Sequence, residues 1–67
     1  MSAREMSKKF VGIVENLPQS AFWDMGLIHE IVQAAAYIGR CLEAGTVPDE
    51  KVIFGGRIAR YLEVNAA

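Results

Sequence analysis

Sixty-seven residues and 7.4 kDa leave room for one small domain. Seven Lys and Arg against eight Asp and Glu give a formal charge of −1, which argues against charge-driven nucleic-acid binding. A hydrophobic share of 52% excludes a disordered tail, and one Cys with one His excludes a disulfide framework or a complete Cys/His zinc site.

Ordering a chain of this size costs roughly 1.5 kcal/mol per residue. Apolar burial must offset that cost, and mean hydropathy is +0.20. A monomer this small hides so many apolar side chains poorly, so the surplus is expected to form an exposed patch. A homo-oligomer or a complex with another protein follows as the expectation. No apolar run approaches about 18 residues, so no membrane span is expected. Residues Met1 to Lys9 are mixed and charged, unlike a signal peptide. Ser2 stands where N-myristoylation requires Gly, and no prenylation motif is present. With a lone Cys, these features predict a cytoplasmic chain.

The first helix is predicted over residues 3–16. Met6, Phe10, Ile13, Val14 and Leu17 share one narrow stripe. Ser2-Ala3-Arg4-Glu5 fits a capping box, and Pro18 disfavours helical geometry at Leu17. Residues 18–24 form a turn or short helix. Extending the second apolar pattern backward would put Asp24 at the centre of its apolar face. Asp24 therefore reads as an N-cap, with Trp23 stapled onto Ile28. A continuous helix from Ser20 is the alternative.

Helix 2 is predicted over residues 25–44. Leu27, Ile28, Ile31, Val32, Ala35, Ile38, Gly39 and Leu42 share a broad face, widened by Ala34 and Cys41. His29, Gln33 and Arg40 point the other way. Gly45 is placed to terminate the helix. Helix 3 is predicted over residues 48–65, with Thr46 as its cap and Pro48 and Asp49 at its start. Phe54, Ile58, Tyr61 and Leu62 form its core face. Gly55-Gly56 weakens the helix by about 2 kcal/mol relative to two alanines, so a kink or break is open there. The fold class is all-α: a compact three-helix domain with a long central helix, associating as a helical dimer.

No constellation for catalysis is visible. His29-Glu30-Ile31-Val32-Gln33 begins like a zinc-protease motif, but Gln33 replaces the second His. His29 and Cys41 would lie about 120° and roughly 18 Å apart on one helix, too far for a dyad. Asp49-Glu50 suits a helix N-terminus better than general acid/base work. Gly55-Gly56 lacks the remaining glycines and the Lys of a phosphate loop. The expectation is a non-enzyme with no metal and no cofactor.

Two binding surfaces remain. Ile53, Arg57, Arg60 and Val64 recur at i, i+4, i+7 and i+11 on a continuous helix 3, away from its core stripe. Such an apolar–Arg–Arg–apolar strip suits a protein interface. Trp23, flanked by Phe22 and Met25, is a second anchor candidate. These residues favour a small regulator or inhibitor that binds and masks a surface of a protein partner. The alternative is a helix-turn-helix-like DNA-binding regulator, with Gly45 in the turn and Lys51, Arg57 and Arg60 on phosphates or bases. Asp49 and Glu50 oppose it, because they stand where base contacts are usually made.

Overall fold

The structure, a computed structural model, describes the backbone of residues 2–66 and the side chains of residues 2–62. It is all-helical. Four α-helices follow in order: α1 (Ala3–Glu15), α2 (Met25–Ala44), α3 (Glu50–Phe54) and α4 (Gly56–Ala66), with a 3-10 turn over Gln19–Trp23 between the first two. The long central element is α2, packed against α1, α4 and the 3-10 turn, while α3 packs on α1.

Local chemistry explains the boundaries. Ser2 is extended and its Oγ accepts from the Glu5 N–H at 3.2 Å. Its hydroxyl also donates to Glu5 Oε1 at 3.3 Å, so the reciprocal half of the capping box goes to the side chain. Asn16 closes α1, its Nδ2 donating to the Gly12 carbonyl at 2.7 Å. Pro18 starts the 3-10 turn, whose one buried residue is Ala21. Asp24 then begins α2: it is extended, and Oδ1 accepts from the Leu27 N–H at 3.2 Å. Gly45 ends α2 at φ 72°, and the Thr46 N–H donates to the Cys41 carbonyl.

The core joins Met6 and Phe10 of α1 to Leu17, Ala21, Leu27, Ala34, Ile38, Ile53 and Ile58. The Phe10 and Phe54 rings pack at 6.5 Å, and Lys9 Nζ lies 4.9 Å from the Phe54 ring centre.

Two expectations need correction, and the break left open at Gly55-Gly56 is present, so that helix 3 is two helices. Its cap is Asp49, whose Oδ1 accepts from the Lys51 N–H at 2.9 Å, and not Thr46. Asp49 is fixed in that role because its own N–H donates to the Tyr37 phenol oxygen at 2.9 Å. The core face of α2 is also rotated from the predicted one. Leu27, Ala34, Ile38 and Cys41 are buried and Ile31 packs against the cluster, whereas Val32, Ala35 and Leu42 are exposed.

The cap at Asp24 is directly measurable. Asp24→Ala is expected to lower stability by about 0.5–2 kcal/mol in urea melts. Asp24→Asn, which keeps an accepting oxygen, should cost less than about 0.5 kcal/mol. Equal and negligible losses would show that Asp24 does not cap α2.

Candidate functional site

The break between α3 and α4 determines where the candidate residues lie. Gly55 is extended (φ −92°, ψ −170°) and Gly56 sits at φ 64°, in the left-handed region. A Cβ on Gly55 would meet the Lys51 carbonyl oxygen at 2.5 Å, and one on Gly56 would meet both Glu30 carboxylate oxygens at 3.0 Å. No side chain fits either position without movement. Glu30 Oε2 accepts from the Arg57 N–H at 2.8 Å. A carboxylate from α2 thus caps the N-terminus of α4, where negative charge is favourable.

This geometry rearranges the predicted strip. On a continuous helix Ile53 and Ile58 would point about 140° apart. The break resets the phase, and both are buried at 1% exposure. Ile53 is therefore a core residue and cannot line a partner-binding surface. Arg57 remains at the surface but is engaged. Its guanidinium lies over Gly26, and Nη1 stands 3.5 Å from Asp24 Oδ1. With side chains 48% and 30% exposed, that pair contributes no more than about 1 kcal/mol. Arg60 is exposed, one turn further along α4. Val64 lies outside the residues whose side chains are described.

Trp23 is 85% exposed, so the expected staple onto Ile28 does not form. The 3-10 turn turns Ala21 inward, and Trp23 two residues later is directed outward. Phe22, next to Trp23 in the chain, is 46% exposed and Met25, two residues after Trp23, 74%. The structure thus brings Trp23 and Met25 to the end of α2 where Arg57 is seated over Gly26. Trp23 and Arg57, both named from the sequence, lie at the surface at this end of α2. The role of Glu30 was not legible in the sequence, since nothing local links it to a helix start 27 residues away.

Further along this same side of α2, His29, Glu30, Gln33, Tyr37 and Arg40 face Lys51 and Gly56 across a groove of about 350 Å³. Its carboxylate is committed to the start of α4 and its phenol to the N–H of Asp49. His29 is exposed and Cys41 is buried. Among the described residues no group of three His, Cys, Asp or Glu side chains is placed to hold a metal ion, and no helix is long and apolar enough to cross a membrane. The helix-turn-helix outline resolves into α2, a connection over residues 45–49 and the five-residue α3, which carries Glu50 in its first turn.

No protein family, no curated protein and no solved structure matches this chain.

Two substitutions test the junction. Gly56→Ala is expected to destabilise by about 1–2 kcal/mol from the left-handed backbone alone. Glu30→Ala should cost about 0.5–2 kcal/mol, and Glu30→Gln, which can still accept from Arg57, clearly less. Thermal melts that leave Gly56→Ala at wild-type stability would contradict this account of the break.

Proposed function

We propose that this chain is a small non-enzymatic regulator that binds a protein partner and masks part of its surface. The observation that carries this reading is Trp23, left 85% exposed beside Met25 at 74%. Burying an exposed indole favours association strongly, and Trp, Met and Arg are enriched at interface centres. Arg57, held in place by Asp24 and Gly26, borders the aromatic anchor, and Arg60 extends the same side of α4. A rigidly seated Arg loses less side-chain freedom on binding than a free one. Self-association through the exposed apolar face of α2 belongs to the same reading. A lone, buried Cys41 suits a reducing, cytoplasmic setting.

The partner surface is tested by affinity capture from source cells with wild-type protein, Trp23→Ala and Arg60→Glu. Trp23→Ala should leave the melting temperature nearly unchanged, because the ring packs on little. It should weaken capture of a specific protein about thirtyfold, the equivalent of about 2 kcal/mol for a central anchor. Arg60→Glu should weaken it less. Arg57→Glu is a poor probe, since it would place a third carboxylate beside Asp24 and Glu30. A protein captured equally well by wild type and Trp23→Ala would remove Trp23 from the interface. Steep, salt-dependent binding to duplex DNA in parallel titrations would favour the DNA-binding alternative instead.

A further inference from the structure

Along α2, a second row of apolar and small residues runs beside the buried one. Met25, Ile28, Val32, Ala35, Gly39 and Leu42 are spaced three, four, three, four and three residues apart. This is the spacing of a coiled-coil seam. The row is centred about 110° around the helix from the buried Leu27–Ile31–Ala34–Ile38–Cys41 row. Met25 is 74% exposed, Val32 59% and Leu42 48%, and Ala35 is also exposed. A Cβ built on Gly39 meets nothing within 4 Å. Among the described residues nothing covers the exposed part of this row, and Ile28 and Gly39 within it are half-buried.

We propose that the occupant is a second copy of this chain, with the two α2 helices packed antiparallel along this row. The proposal rests on the self-association put forward above and adds its geometry. The spacing reads the same in both directions, so an antiparallel copy meets it in register. In that register Met25 faces the partner's Leu42, Ile28 faces the partner's Gly39 and Val32 faces the partner's Ala35. Large side chains meet small ones in the inner layers, and the open space over Gly39 receives an isoleucine. A parallel copy would instead place Gly39 against Gly39 and leave a void between the helices.

Charge and area agree with this occupant. The row itself carries no charge. Glu43 flanks it, and the antiparallel register keeps the two Glu43 side chains about 28 Å apart, where a parallel pair would place them at the same level. The row spans about 26 Å. At the Leu42 end it is continuous with α1, since Arg4, Ser7 and Lys8 line the same depression as Leu42. One turn further along that side of α1, Val11 is 49% exposed. A helix with its side chains is about 10–12 Å across, so the row alone offers roughly 300 Å² per copy, and the adjoining flank of α1 enlarges it toward the size of a small, weak interface. The chain exposes 4685 Å², where a compact monomer of its mass exposes about 4,200 Å².

The test separates association from its geometry. Sedimentation at roughly 100 µM, a range suited to an interface of this size, should give twice the 7.4 kDa mass. Val32→Glu alters a side chain already 59% exposed, so helicity and melting should stay near wild type. Its dimer dissociation constant should rise about a hundredfold or more, with a carboxylate buried in each copy. Geometry is read by oxidation of Met25→Cys, Leu42→Cys and their double variant, each made with Cys41→Ala. In the antiparallel register the two copies of either single position lie about 26 Å apart, beyond disulfide reach. Neither single variant should cross-link, whereas the double variant, or an equimolar mixture of the two singles, should. A wild-type monomer at this concentration would overturn both the self-association and the proposal. A dimer that cross-links through either single cysteine, or fails to cross-link in the double variant, would keep the association but overturn the antiparallel packing. A dimer indifferent to Val32→Glu would also overturn it.

Discussion

The arrangement depends on one contact, the Glu30 carboxylate accepting from the Arg57 N–H at the start of α4. Once the chain breaks after Phe54, the first N–H groups of α4 have no helical partners. Glu30 satisfies one of them from across the fold. Its negative charge sits at the positive end of the new helix, and Gly56 lets the backbone reach it through a left-handed turn. The break would otherwise be costly, because two glycines and an interrupted hydrogen-bond ladder favour no structure. Its return is that Ile53 and Ile58, about 140° apart on a continuous helix, both enter the core.

This junction assigns a function to each side of α2. The row from Leu27 to Cys41 faces the core, and Glu30 and Tyr37 hold the end of the chain, Tyr37 by accepting from Asp49 and Glu30 by capping α4. With thirteen residues in α1 against twenty in α2, the first helix cannot cover the remaining apolar side of the central one. The short α3 packs on α1 and offers no cover there either. The exposed row from Met25 to Leu42 is thus a consequence of lengths and of the break, as well as of composition.

Features encoded within one turn were legible in the sequence. Ser2, Asp24 and Gly45 could be read as caps because their action is local, and Asp24 because a continuous helix would have buried its carboxylate. The features that were not legible depend on distant residues. Thr46 looks as good a cap as Asp49 until the Tyr37 phenol engages the Asp49 N–H. Ile53 looks like a surface residue because the phase of a helix can be followed only while the helix continues. For α2, the apolar residues fill two adjacent rows, and periodicity alone does not say which row faces inward. Neighbouring helices decide that, through contacts such as those of Ala34 and Cys41, residues small enough for close packing.

The two surfaces left open overlap only at Met25, which stands beside Trp23 and begins the exposed row. Around α2, Glu30 and Gly26, which meet α4, lie about 60° and 100° to one side of the buried row, and the exposed row lies about 110° to the other. A second copy seated along Met25 to Leu42 therefore approaches from the side away from α4. It leaves Arg57 over Gly26 and Arg60 one turn beyond facing solvent. In an antiparallel pair the two Trp23 side chains stand at opposite ends, beyond the last layer of the row. Dimerisation would then present two separate anchors for protein partners, each backed by a seated Arg. Two weak sites on one rigid body can bind a bivalent or repeated target far more tightly than either alone, provided the spacing matches.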